Sequence, residues 1–335
     1  MSVAAAPRWT TPALVTGVLA AATALAVWSL TLGDYPITMP AAARAAVGAG
    51  PYTDVLVVQE WRLPRVLAAL LAGAALACSG ALLQALVGNP LAAPDVIGVN
   101  MGATASAVGF IVLGVPGVLV PLGAFTGALA AAGLLVLLAW RGTLGADRLV
   151  LVGIGLHTAL YALKTFLVVR FPDDLVQAAV RWTVGTLYGR TWTDVVIAAA
   201  ALAVLLPAGA LAVRSIRILE LGDDLAAGLG LRVQRGRLLV LGIAVGLAAV
   251  AVALTGPLYF VALAVPFLVR VVAGPLTPGT LLLAAAVGAL LLLGADLVAQ
   301  HALSTALPVG VVTASVGAPF FCWLLWRHHR TGGRT

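Results

Sequence analysis

RLPRVLAALLAGAALACSGALLQALVGNPLAAPDVIGVNMG, residues 62–102, decides the fold. From 63 to 86 it carries one charge, Arg65, among Ala, Leu and Val. About 20 apolar residues wound as a helix cross the roughly 30 Å hydrocarbon layer of a bilayer, so this run is a membrane span. Asn89, Pro90 and Pro94 then interrupt it, and a further apolar run begins at 96. Proline donates no backbone hydrogen bond and asparagine bonds its own local backbone, so the interruption reads as a rigid turn. Helix, turn, helix is the building unit.

Extended in both directions, the same reading cuts the chain into ten spans: 13–33, 63–86, 96–115, 117–140, 149–170, 194–213, 237–256, 258–274, 280–299 and 307–326. Only Gly114 to Gly117 separates the third from the fourth, and one long kinked element satisfies the sequence equally. An open sheet cannot sit in lipid with unpaired edges, and the runs lack the period-two alternation of barrel strands. The expected fold is all-α and polytopic. With 62% hydrophobic and 9% charged residues, no soluble core of this size could absorb the chain. Arg8 before the first run, with no small-residue cleavage site after it, reads as a retained first helix.

Basic residues set the orientation, because short loops rich in them stay cytoplasmic. With the N-terminus inside, twelve arginines fall in inner segments and six in outer ones, which places both termini in the cytoplasm. The formal charge of +7 reflects this asymmetry, so nucleic-acid binding is not expected.

Residues 214–237, RSIRILELGDDLAAGLGLRVQRGR, form a polar island on the cytoplasmic side, with 8 charged residues in 24 positions. Ile218, Leu221, Leu225 and Leu229 fall at helical spacing, the acids lie in the first half, and two glycines can end a helix before a basic exit. The island reads as a short amphipathic helix, a Gly turn and a re-entry, and so as a place where the membrane protein meets something soluble. A helix lying on the lipid surface gives the same pattern.

Several chemistries are excluded. A phosphate-binding GxxxxGK[ST] loop needs Lys after Gly, and the single lysine, Lys164, follows Leu163. No HExxH, no GxSxG and no intramembrane carboxylate cluster is present, so no catalytic residue or metal ligand is assigned. Cys78 and Cys322 lack any metal-ligand spacing and read as packing residues. Intramembrane charges are few, which argues against an ion-coupled secondary transporter. Asp296 calls for a local partner; Lys164 either snorkels outward or lines a path for an anionic solute; His157 reads as a satisfied core histidine.

At this point five collinear stretches carry a resemblance. Residues 62–102, WTVGTLYGRTW (182–192), LELGDDLAAGLGLRVQRGR (219–237), GPLYFVALAVPFLVR (256–270) and LPVGVVTASVGAPFFCWLL (307–325) together resemble the permease subunits of iron-siderophore, haem and vitamin B12 ABC importers. The resemblance implies one transmembrane permease domain over 1–335, with 214–237 as its cytoplasmic coupling segment. It implies a second permease subunit, identical or paralogous, an extracytoplasmic solute-binding protein, and two cytoplasmic ATPases that use the ATP and Mg²⁺; this chain itself would bind no cofactor. Its surroundings would be bacterial inner-membrane lipid.

By the same resemblance, coupling falls on Leu219, Glu220, Leu221, Gly222, Asp223, Asp224, Leu225, Ala226, Ala227, Gly228, Leu229 and Gly230, folded as two short helices with Gly228 and Gly230 allowing the turn. Arg62 and Arg65, three apart at the outer mouth of the second span and on one helix face, resemble arginines that dock carboxylates of the binding protein. Asn89 and Pro90 lie where the inner mouth of the path is expected, and the fifth span, with Lys164, would line the path. The chain departs from the family at Phe267, where many members have His after Pro, at Tyr259, and at Gln300, where a docking Arg can stand. The text of 89–100 and 184–192 is nearer ferric-siderophore permeases than those for haem or cobalamin, so a ferric siderophore is the expected cargo.

Overall fold

A computed structural model describes the backbone of residues 10–142, 144–171, 173–302 and 305–332, with the side chains of 10, 146, 173, 174 and 321–332 left aside. The expectations for Arg8 and Cys322 therefore lie outside the described residues. The chain folds as α1 (Thr10–Ser29), α2 (Met39–Ala46), α3 (Tyr52–Leu56), a π-helical turn (Val57–Arg62) and α4 (Leu63–Val87). It continues with α5 (Val99–Val112), a 3₁₀ turn (Gly117–Leu119), α6 (Val120–Ala139), α7 (Ala146–Arg170), α8 (Asp173–Thr183) and α9 (Trp192–Leu219). The remaining helices are α10 (Asp223–Gly228), α11 (Val233–Thr255), α12 (Val261–Ala273), α13 (Pro278–His301) and α14 (Val309–Gly332). The described residues form no strand. Seven helices are long and apolar enough to cross a membrane, and three shorter apolar ones, Val99–Val112, Val261–Ala273 and Val309–Phe320, complete the ten expected spans.

The centre of the bundle is α4, which packs on α9, α11, α12 and α13. Lipid tails are as apolar as leucine, so membrane helices associate through close packing and polar contacts rather than through burial from water. α4 uses both. A Cβ on Gly73 would strike the Gly288 carbonyl, one on Gly288 would strike the Gly73 carbonyl, and one on Gly80 would strike the Ala262 carbonyl. Ser79 donates to the Ala244 carbonyl at 2.6 Å and Gln84 Nε2 to the Leu263 carbonyl at 3.1 Å. Cys78 is buried in the same interface, as a packing residue should be. We expect Gly288→Leu to abolish recovery of folded monodisperse protein in detergent, whereas Gly133→Leu, facing open space on α6, leaves the size-exclusion profile unchanged.

Three features differ from the sequence expectation, and one alternative that it left open is resolved. The third and fourth spans are separate: α5 ends at Gly114 (φ +70), whose N–H bonds the Ile111 carbonyl, and α6 returns against it, with Gly102 and Gly127 letting the backbones touch. α5 and α12 have only 14 and 13 residues, about 20 Å of helix, so neither crosses unaided. Irregular chain at 88–98 and 256–260 completes each crossing, held largely inside the protein; turn bonds such as Val96 N–H to the Ala93 carbonyl serve its backbone, while Asp95 Oδ1 is buried without a partner. The sixth span overruns its expected end at 213, because arginines in water continue a helix as readily as leucines in lipid. Finally, α2 and α8 lie between spans, too short for a hydropathy reading to register, and α3 with the π-helical turn extends the second span back to Tyr52.

At the start of α12, Phe260 holds φ 69, a left-handed conformation rare for a bulky side chain. Its ring fills the space left by Gly317 on α14, where any Cβ would overlap it.

Candidate functional site

At the arginine-rich end of the bundle α9 stops at Leu219 and the chain turns on Gly222. With φ 96 and ψ 158 this residue adopts a conformation open to glycine alone, and it starts α10 at Asp223. Asp223 and Asp224 occupy the first turn of α10, where acids favour a helix N-terminus. The far end closes through two bonds, Gly230 N–H to the Ala227 carbonyl at 2.9 Å and Leu231 N–H to the Ala226 carbonyl at 3.0 Å. That pairing is a Schellman cap with Gly230 (φ +83) in its left-handed position. The expectation of two short helices needs correction: the segment holds one six-residue helix, with α9 running into it and α11 out of it. Gly228 is also corrected. It sits inside α10, while Gly222 and Gly230 make the turns.

Only Ala226 of this segment is buried. Leu221, Leu225 and Leu229 are 55%, 63% and 65% exposed, a row of apolar side chains facing away from the subunit. The helix is tied down nonetheless. Arg237 donates to Asp223 Oδ1 at 2.8 Å and to the Leu144 carbonyl at 2.7 Å, and the Leu144 N–H donates to Gln234 Oε1 at 2.9 Å. One arginine thus joins α10, the root of α11 and the loop that enters α7. The basic exit of the island was legible in sequence; the contact with Leu144 was not.

The 88–98 turn opens onto a cavity of about 650 Å³ lined by Asn89, Pro90, Asp147, Val150, Leu151 and Ile154. Asn89 Oδ1 accepts from the Leu91 N–H at 2.9 Å, which fixes the turn as expected of an Asn-Pro pair. Asp147, Leu151 and Ile154 of α7 were not singled out by the sequence, whose apolar pattern gives no sign of a cavity.

Farther along α7, His157 Nδ1 pairs with the Asp95 carbonyl at 3.0 Å, a satisfied histidine. Lys164 Nζ lies 4.4 Å from the Tyr161 ring centroid.

At the opposite end Arg62 and Arg65 do sit at the mouth of α4, but both forks turn inward. Arg62 donates to the Leu30 and Tyr35 carbonyls, each at 2.6 Å. Arg65 grips Asp296 with two bonds, 2.9 and 2.8 Å, and Gln300 Nε2 adds a third donor at 2.8 Å. Asp296 is 2% exposed, so the partner that its position demands is Arg65, from 231 residues away in sequence. Gln300, which replaces an expected arginine, serves the same carboxylate. Arg190, between α8 and α9, donates to the Leu254 carbonyl at 2.9 Å. Burial lowers its pKa, and Asp194 partly offsets the shift.

Seven apolar helices of membrane length, three shorter ones and an exposed apolar row on α10 describe a polytopic membrane protein. The description "FecCD transport family" matches residues 19–327. The chain belongs to that family.

Among its relatives, the ferric enterobactin transport system permease protein FepG of Escherichia coli (strain K12) is 42% identical over 306 residues, 91% of this chain and 92% of that protein. The Fe(3+) dicitrate transport system permease protein FecD of the same strain is 39% identical over 319 residues, 94% of this chain and 98% of that one. A solved chain described as a metal-chelate type ABC transporter in an inward-facing conformation superposes with a TM-score of 0.83 at 28% identity, covering 94% of this chain and 99% of that chain. As a FecCD member, this protein is a multi-pass inner-membrane permease subunit of an ABC importer.

Proposed function

We propose that this FecCD subunit forms half of a translocation path for a ferric siderophore, delivered by an extracytoplasmic binding protein and driven by two cytoplasmic ATPases that hold the ATP and Mg²⁺. The observation that carries the reading is the segment Leu219–Gly230, a glycine-bounded helix with three exposed leucines and no buried role except at Ala226. An exposed apolar row rimmed by charge is a docking surface. A nucleotide-driven partner is the fitting occupant for a chain without a phosphate-binding loop.

The arginine excess supports a cytoplasmic position for that end and for both termini. Arg62 and Arg65 then lie at the outer end, where they organise the binding-protein surface from within: their forks hold the 30–35 loop and α13, so docking would rest on the shape they fix. Asn89 and Pro90 line the inner mouth. The second permease subunit, identical or paralogous, completes the path. The chain performs no catalysis of its own. The ferric cargo follows the relatives that carry ferric enterobactin and ferric dicitrate.

Co-purification from native membranes should recover a P-loop ATPase with this chain, and vesicles carrying the complex should accumulate radiolabelled ferric siderophore only with ATP and binding protein. Competition by cobalamin or haem instead of ferric siderophore would reassign the cargo. Accumulation by the lone chain on a proton or sodium gradient would remove the importer reading altogether.

A further inference from the structure

Along α7, His157, Tyr161 and Lys164 stand at i, i+4 and i+7 and share one stripe of the helix. The neighbouring stripe is the packed one, with Leu149, Gly153 and Leu156 buried. Toward the arginine-rich end the polar stripe runs into Val150 and Ile154, which line the cavity of about 650 Å³ beside Asn89 and Pro90. The stripe thus continues the wall of the inner mouth toward the membrane centre.

Lys164 is the single lysine of the chain, two turns inside α7 from Arg170, and among the described residues no carboxylate pairs with it. An ammonium that only snorkelled would reach outward. This one lies over the Tyr161 ring, one turn nearer the centre, and Tyr161 is 51% exposed. Ionisable groups at membrane depth face a water-filled cavity rather than lipid. A cation resting on an aromatic face is held weakly, so it is free to exchange that face for an anion.

We propose that Lys164 and Tyr161 form a transient contact in the path for ferric chelates of net negative charge, so that the permease itself selects on cargo charge. The proposal rests on the importer reading above and names the substrate class within it. The ammonium attracts the anionic chelate, and the tyrosine face offers a surface for planar oxygen-donor ligands. Neither contact is buried or bidentate, which suits a site that must release its cargo.

The test measures ATP-dependent uptake of two probes by vesicles carrying the assembled transporter, an anionic ferric tris-catecholate and a neutral ferric trihydroxamate. Lys164→Gln should lower the anionic-to-neutral uptake ratio about fivefold, and Lys164→Arg should keep it, since charge is retained. An unchanged ratio in Lys164→Gln, with both probes transported, overturns the contact while the importer reading stands. Uptake of the neutral probe alone by the unaltered transporter overturns the charge preference in the same way. No ATP-dependent uptake of either probe removes both readings together.

Discussion

Gly230→Pro is expected to abolish ATP-driven uptake while leaving the chain inserted and folded. Proline fixes φ near −65°, whereas residue 230 needs +83°, and it removes the N–H that bonds the Ala227 carbonyl. The cap of α10 then opens, and Leu225 and Leu229 lose their fixed direction, a change of roughly 3 kcal/mol at the point of attachment. The spans on either side are untouched, so protease protection of the flanking loops should match the unaltered protein. Uptake and stimulation of the ATPase should both disappear. Gly230→Asn, which tolerates the left-handed region, should retain part of the activity. Gly228→Ala, inside α10 and facing open space, should retain nearly all of it. Normal uptake by Gly230→Pro would falsify the coupling role of this helix.

Asp296→Leu has the next largest expected effect. It leaves the Arg65 guanidinium at the edge of the bundle without its bidentate partner, and removing one member of such a pair costs about 3–5 kcal/mol. Arg65 is 20% exposed, and water reaching it trims that figure toward the lower end. The melting temperature in detergent should fall sharply. Adding Arg65→Leu to the same chain should recover most of the loss, because two leucines fill the site without a stranded charge. If the double variant is stable yet binds the solute-binding protein weakly, Arg65 contributes to docking beyond holding α13. A single Asp296→Leu variant that melts with the unaltered protein would show that the ion pair carries no stability.

The ten crossings were legible because each is a long run of Ala, Leu and Val that water would not tolerate. Their lengths were less so. At Arg214 and Arg217 a polar residue marks where the lipid ends, and α9 simply keeps winding to Leu219. At α5 and α12 the apolar run is longer than the helix, because the irregular backbone at 88–98 and 256–260 is apolar too, and the local turn bonds over 88–98 leave no mark in hydropathy. The turn glycines were half read. Gly230 was anticipated, whereas Gly222 is the one followed by two acids, the pattern of a helix start, and that signal was present in the sequence. Asp296 announced that it needed a partner, but nothing local could point to Arg65. The inward turn of Arg62 onto two carbonyls was equally hidden, since backbone acceptors leave no trace in composition.

Arg237 bonds α10 through Asp223 and the threshold of α7 through Leu144, whose own N–H donates to Gln234. Two loops distant in sequence therefore behave as one handle. On the proposed importer reading, an ATPase that grips α10 would carry the foot of α7 along with it, and the wall of the path would shift in step with the stroke. Loop length between α6 and α7 would then act as a timing element: on the proposed coupling role, inserting one residue there is expected to put slack between fuel use and opening.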